Sequence, residues 1–234
     1  MQTPPIPNAY DWWYDDARQV GLDFEDEQEV ATYDARQGGS AERDRALLSE
    51  LGLKPHMTMA DIGCGTGILA REAARMCRSV VAIDVSAAML AAAQARAEDL
   101  PNLSFQRAGF LSFEAPEQGF DLVTAKNALH HLPDFWKAMA LARIYAALKP
   151  GGRLYLRDVM FTEAPGELAQ AAEGWIVWLS ENTGYSRAEG ACHIREEYST
   201  FAWAIARMLT DCGFEIVEHV QDGVYASFVA ERPG

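Results

Sequence analysis

The stretch ADIGCGTG, residues 60–67, sets an aspartate, Asp61, ahead of three glycines at alternate positions, Gly63, Gly65 and Gly67. Glycine turns of this kind hold nucleotide-like ligands, because a backbone without Cβ atoms adopts left-handed conformations and approaches a ligand closely. A second carboxylate, Asp84, ends the run VVAID. The ordinary alternative for both acids is a strand-end carboxylate capping the next helix. Two further groups suit proton transfer. His130 and His131 lie in LHHLPD, and His193 and Glu197 lie four apart in HIREEYSTF. Imidazole titrates near neutrality and serves as a general base. His193 and Glu197 share a face if a helix begins that early, and the carboxylate would then orient the imidazole. The four cysteines, Cys64, Cys77, Cys192 and Cys212, show no CxxC or zinc spacing. No metal is therefore expected, and the thiols read as reduced, cytoplasmic cysteines.

The elements that must position these residues alternate along the chain. MTMADI, SVVAID, LSFQRAG, FDLVTA and RLYLRDV read as strands. Between them lie helical stretches: GILAREAARMC; AAMLAAAQARAEDL behind the N-cap Ser86; and DFWKAMALARIYAALKPGG. A helix over about 40–51 precedes them. Strand and helix in repeated alternation predict a parallel sheet with helices on both faces. Ligands in such sheets bind beyond the carboxyl ends of the strands, where the motifs fall. After the fifth strand the alternation breaks. Leu168, Ala171, Ala172, Trp175, Ile176 and Leu179 recur at helical spacing, ENTGYSRAEGACH reads as a loop, and YSTFAWAIARMLTDCG reads as a helix. Two alternating runs flank Asp222-Gly223, a hairpin signal. The count is seven strands, one of them antiparallel.

Composition bounds the function. The 234 residues suffice for one α/β domain. The domain is placed at 41–234, with a helical cap insertion at about 161–200. Residues 1–40, rich in aromatics and acids, read as an N-terminal lid or helical extension. The net charge of −14 disfavours nucleic acid. No segment approaches a membrane span, and the N-terminus lacks the pattern of a signal peptide.

A glycine turn of this type holds either a dinucleotide or a nucleoside without phosphates. The dinucleotide fingerprint G-x-G-x-x-G places a third glycine where Ile68 stands. A dinucleotide fold also continues with a second mononucleotide half, whereas this chain ends in a hairpin. A nicotinamide-dependent oxidoreductase stays open as the alternative enzyme class. A non-catalytic binding protein is the other alternative.

Taken together, DIGCGTG, Asp84 in VVAIDVS, FDLVTAKNALHHLPD, LKPGGRL and the closing hairpin resemble, in that order, the class I S-adenosylmethionine-dependent methyltransferases. The resemblance covers about residues 57–232 and is nearest the small, single-domain enzymes that act on small molecules. It implies a Rossmann-like, seven-stranded, mostly parallel sheet with an antiparallel C-terminal hairpin. It implies S-adenosylmethionine as cofactor and transfer of its methyl group to a small-molecule acceptor by in-line displacement. Gly63 and Gly65 would approach the methionine and ribose, with Cys64 and Gly67 completing the turn. Asp84 would accept both ribose hydroxyls in charge-assisted bonds of roughly 1.5–3 kcal/mol each. Asp61 would sit under the loop or reach the ligand's amino group through water. Val85, Met89 and Gly109 would lie near the adenine, Phe110 would stack on it or else serve as plain core, and Tyr33 and Lys126 complete the expected cofactor contacts. The acidic residue that the family often has after its third strand is missing from Ala108-Gly109-Phe110. His131, His193 and Glu197 are the candidate catalytic residues. Tyr14, Trp175 and Trp178, with His131, are the candidate acceptor contacts, and Tyr185 could join them. The N/D-P-P-Y/F signature of enzymes acting on amino groups of nucleic-acid bases is replaced by AKNALHH. The expected state is a monomer or homodimer without nucleic acid or membrane partners.

Overall fold

The computed structural model describes residues 10–21, 24–36 and 38–234. The predicted lid over 1–40 therefore lies in part, at 1–9, 22–23 and 37, outside the described residues. Two helices come first, α1 (Glu27–Arg36) and α2 (Ala41–Glu50). The alternating body follows: β1 (Thr58–Ile62), α3 (Ile68–Ala74), β2 (Ser79–Asp84), α4 (Ala87–Ala95), β3 (Leu103–Arg107), β4 (Phe120–Lys126), α5 (Asp134–Ala147) and β5 (Leu148–Phe161). Then come α6 (Leu168–Asn182), α7 (Arg187–Glu196), β6 (Thr200–Phe201), α8 (Ala202–Asp211), β7 (Glu215–Asp222) and β8 (Tyr225–Glu231).

The strands run in the order β3-β2-β1-β4-β5-β8-β7. The pairs from β3 to β5 are parallel, and β8 is antiparallel to both β5 and β7. This is the expected seven-strand path with one reversed strand. The two-residue β6 adds itself beside the end of β5. Strand order reverses between β1 and β4, so the connections leaving their carboxyl ends diverge and open a crevice there. The glycine turn follows β1, and a single 3-10 turn, Leu129–His131, follows β4.

Alternation along β4 shows how the sheet divides its side chains. Leu122 packs with α2 and α3 on one face; Val123 and Ala125 pack with α5 and α8 on the other. A third apolar cluster joins Val159 and Phe161 at the end of β5 to Trp175, Ile176 and Leu179 of α6. That cluster is the base of the cap, which stands over the carboxyl end of the sheet.

Three stretches differ from the sequence reading: residues 148–152, read as the end of a helix, open β5; Thr200 and Phe201, read as helix, form β6; and a predicted loop holds a helix. ENTGYSRAEGACH is not a loop, because α7 occupies its second half. Ser186 caps this helix by accepting from the Glu189 amide, while the Glu189 carboxylate accepts from the Ser186 amide at 2.6 Å. Such a reciprocal capping box satisfies two otherwise unpaired helix donors. Gly190 lets α7 approach α6, since a Cβ there would lie 3.3 Å from Leu179 and 3.4 Å from Ile176. His193 therefore lies in the last turn of α7 rather than at the start of α8.

The N-terminal segment is tied to the body. The Glu25 carboxylate accepts from the amides of Ala87 and Ala88 at the start of α4 (3.0 and 3.2 Å), and Ser86 Oγ donates to the Phe24 carbonyl at 2.7 Å. Among the described residues, no helix is long and apolar enough to cross a membrane.

Phe228 on β8 is 1% exposed and stacks on His219 of β7 at 4.3 Å. Replacing it with alanine is expected to destabilise the fold by about 3–5 kcal/mol, read as a lower urea midpoint at unchanged slope.

Candidate functional site

The crevice at the strand ends is a cleft of about 1250 Å³, including the space open to solvent. The residues around it fall into a glycine-and-aspartate set and a histidine-and-tryptophan set.

In the first set, Gly63 has φ +73° and Gly65 φ +52°. Both angles lie where a side chain is strained. A Cβ on Gly63 would come within 2.3 Å of the Ala128 Cβ, so the loop after β4, as much as any ligand, requires glycine there. Asp84, at the end of β2, accepts from the Gly65 amide at 2.8 Å and the Ser86 amide at 2.9 Å. Burial raises its pKa against the pull of those amides. Tyr33, Val85, Met89, Gly109 and Phe110 line the same end, as expected.

Four other candidate residues do not line the cleft, and of these Asp61 takes one of its two expected places, under the loop. Asp61 is buried beneath the turn, not among the lining residues, and accepts from Thr124 Oγ1 at 2.7 Å. Lys126 is outside the cleft lining and pairs with Asp44 of α2 at 2.5 Å. Its place at the end of β4 gave no signal of that partner, 82 residues earlier. Cys64 and Gly67 complete the turn without lining the cleft.

The second set converges from four elements: β5, the 3-10 turn, α6 and the end of α7. Asp158 of β5 is fully buried; it accepts from the His130 amide at 3.0 Å and faces His130 Nδ1 at 2.5 Å. His130 Nε2 lies 3.2 Å from Glu197 Oε2, and the same carboxylate contacts His193 Nδ1. His193 Nε2 is 2.7 Å from Ser199 Oγ. The His131 ring stands 4.3 Å from that of His130, and the Trp175 ring stands 4.8 Å from His193. Burial alone would lower the pKa of His130, but Asp158 and Glu197 outweigh it and hold it up near about 10. Burial, with the charge on His130, pushes His131 down to about 3. Glu197 is held below the carboxylate range by His130 and His193 despite its burial. At neutral pH His130 is thus charged, His131 neutral and Glu197 ionised.

His131, His193, Glu197 and Trp175 all line the cleft, and so does Tyr185. Tyr14 and Trp178 do not: Tyr14 packs on Trp136 at 5.7 Å, and Trp178 is 48% exposed on the outer side of α6. Helical spacing alone could not tell the inner from the outer face of α6. Sequence reasoning also missed Asp16 and Asn127, both of which line the cleft. Asp16 accepts from the Leu111 amide at 2.6 Å and from Ser112 Oγ, placing a carboxylate beside the loop after β3. It reaches that loop from more than 90 residues away, which no local motif reveals. Asn127 holds φ +52°, a rare angle for a residue with a side chain, and accepts from Arg157 at 2.7 Å.

Comparison with known proteins agrees with this architecture. Residues 59–152 match the family model described as a methyltransferase domain. An uncharacterized methyltransferase of Mycobacterium tuberculosis is 39% identical over 94 residues, 40% of this chain and 46% of that protein. The chain thus spans about half the length of such curated relatives. An uncharacterized methyltransferase of Anoxybacillus flavithermus is 27% identical over 209 residues, 84% of this chain and 92% of that one. Among solved structures, the N-methyltransferase NodS of Bradyrhizobium japonicum, in complex with S-adenosyl-L-homocysteine, superimposes with a TM-score of 0.64 at 20% identity. The superposition covers 89% of this chain and 96% of NodS. Residues 59–152 are thus similar to methyltransferase domains, and the strand order is the fold of the solved methyltransferase NodS.

Asp61 yields a pH prediction. Burial lifts its pKa from 3.8 to about 6, against the bond from Thr124 and the charge of Lys126. The folded state thus binds more protons than the unfolded one between these values, and stability falls as pH rises from about 4 to 6. The loss is about 3 kcal/mol, from about 1.36 kcal/mol per unit. Urea titrations across that window should show the decline in the native chain and a flatter profile in Asp61→Asn. Equal slopes would remove Asp61 as the source.

Proposed function

We propose that the chain transfers the methyl group of S-adenosylmethionine to a small-molecule acceptor, by in-line displacement, in the cleft between the glycine turn and the cap. The observation that carries this is a single cleft lined by both Asp84 and the pair His131 and Trp175. A binding protein without catalysis would need no second chamber beside the cofactor end. A nicotinamide enzyme is disfavoured by Ile68 at the start of α3 and by the β7–β8 hairpin in place of a second mononucleotide half.

S-adenosylmethionine supplies the electrophilic methyl group and its leaving group when bound. Gly63 and Gly65 would face its methionine and ribose, Asp84 would accept from the ribose hydroxyls, and Met89 and Phe110 would hold the adenine. Asp61 stiffens the turn from below. Trp175 and Leu179 exclude water and align the acceptor, and alignment alone contributes roughly 7–11 kcal/mol. His131 is neutral and too weak a base to keep a proton at pH 7, so it orients the acceptor by accepting a hydrogen bond. The His193–Glu197 pair behind it takes the proton, a contribution of about 10²–10⁴ in rate. Superposition on NodS, solved with S-adenosyl-L-homocysteine, supports the cofactor end. The acidic balance supports an acceptor other than nucleic acid, and the free thiols support a cytoplasmic setting. The active unit is a monomer or homodimer.

Calorimetry with S-adenosylmethionine and S-adenosylhomocysteine tests the cofactor end. Asp84→Ala should weaken binding by at least about 100-fold, since two charge-assisted bonds are lost. Unchanged affinity, or tighter binding of NAD in a spectral titration, would sink the reading. A methylation screen of small acceptors tests the other end. Against any acceptor found, His131→Ala should keep cofactor affinity and lose about 10²-fold in transfer.

A further inference from the structure

Two carboxylates and three imidazoles share one buried corner of the cap chamber. Hydrogen bonding of an acceptor requires one imidazole, not this concentration of donors. We propose that His130, His131 and Glu197 form a site for one divalent transition-metal ion of the zinc class, with an open position for an oxygen donor of the acceptor. The inference deepens the methyl-transfer reading and rests on it for the acceptor, though not for the ion.

Geometry supports the site first. One ligand atom from each of His130, His131 and Glu197 lies within 4.8 Å of the others. His130 Nε2 and Glu197 Oε2 stand 3.2 Å apart. Two ligands about 2.1 Å from one ion, in tetrahedral or octahedral arrangement, stand about 3.0–3.4 Å apart. Two imidazoles and one carboxylate are the donor set of protein sites that leave coordination positions open for substrate.

The surroundings support it next. A metal-ligating histidine presents one ring nitrogen to the ion and the other to a carboxylate that fixes its tautomer and raises its basicity. Asp158 stands at His130 Nδ1, which leaves Nε2 toward Glu197. Glu197 is in turn held by His193, and His193 by Ser199. The polar shell behind each of these two ligands is therefore complete.

Charge completes the argument. Asp158 and Glu197 are two buried carboxylates in one corner. Buried carboxylates need positive partners; His130 stands between these two, and a dication adds charge that one imidazole does not supply. The ion takes the place of the proton between His130 and Glu197. It would sit in the chamber whose other end is Asp84 and the glycine turn, so an oxygen bound to it is presented toward the cofactor.

The test uses the untagged, full chain, stripped with chelator and titrated with Co²⁺ by absorbance and Zn²⁺ by calorimetry. The expected result is one ion per chain, with the visible spectrum of four- or five-coordinate Co²⁺. Asp158→Asn should weaken binding by about 10–100-fold, and Glu197→Gln by at least as much. Absence of binding, or affinity unmoved by both substitutions, overturns the site. Should either variant fail to fold, the wild-type chain decides: Co²⁺ must shift the imidazole proton resonances of His130 and His131, and unshifted resonances overturn the proposal. A parallel titration with S-adenosylmethionine separates the two readings. Cofactor binding without Co²⁺ binding sinks the ion site alone. Co²⁺ binding without cofactor binding upholds the site and sinks the methyl-transfer reading.

Discussion

The glycine-turn end of the cleft depends on one half-buried carboxylate. Asp84 draws the Gly65 amide and the Ser86 amide to its two oxygens, so the turn after β1 and the corner after β2 are fixed to each other. A carboxylate taken out of water needs such donors, because desolvation without compensation costs several kcal/mol. Ser86 extends the lock, since its hydroxyl accepts from the Met89 amide and donates to the Phe24 carbonyl. The walls of the cleft are thus positioned by bonds that exist without a ligand. Binding energy does not have to be spent on ordering them, which is the advantage of preorganisation.

The histidine end of the cleft is built on the opposite principle. At the glycine turn, backbone amides meet a lone carboxylate; at the cap, side-chain charges meet each other. Asp158, His130, Glu197 and His193 form a chain of contacts running from β5 through the 3-10 turn to the last turn of α7. Neighbouring histidines on that turn end in opposite states: His130 is held charged by two carboxylates, and His131 is kept neutral by burial and by the charge next to it. Groups whose environments drive their pKa values apart are where acid–base roles divide.

Much of this was legible in the residues. The glycine spacing, Asp84 at the end of a β-branched run, the Ser86 cap and the Asp222-Gly223 hairpin are local signals, and each matches the observed element. The capping box that starts α7 was also local: Ser186 and Glu189 stand at the required spacing, but Gly184 and Gly190 obscured it. The functions of Asp16, Asp158 and Lys126 were not legible. Each depends on a partner 28 to 95 residues away, and pairing across that distance is set by sheet order and loop path, not by composition. Trp175 and Trp178 could not be told apart in the sequence for a different reason. Both fit a helical stripe, and only the placement of α6 over Val159 and Phe161 decides which ring is inside.

Helix α1 joins the two principles. Asp34 reaches the cofactor side, pairing with Arg96 at the end of α4 at 2.6 Å and accepting from Thr66 of the glycine turn. Two residues on, Arg36 reaches the cap, pairing with Glu189 of α7 and lying over the Tyr185 ring at 4.1 Å. Tyr33, on the same helix, lines the cleft between them. The exposed pair Asp34–Arg96 is worth about 0–1 kcal/mol. Val30, on the same helix, is buried, and burying such a side chain contributes about 1.5–3 kcal/mol. Tyr33 adds an edge contact with Phe24. The apolar side chains therefore hold α1 to the body more firmly than the exposed ion pair does, and the charged residues set which neighbours it meets at each end.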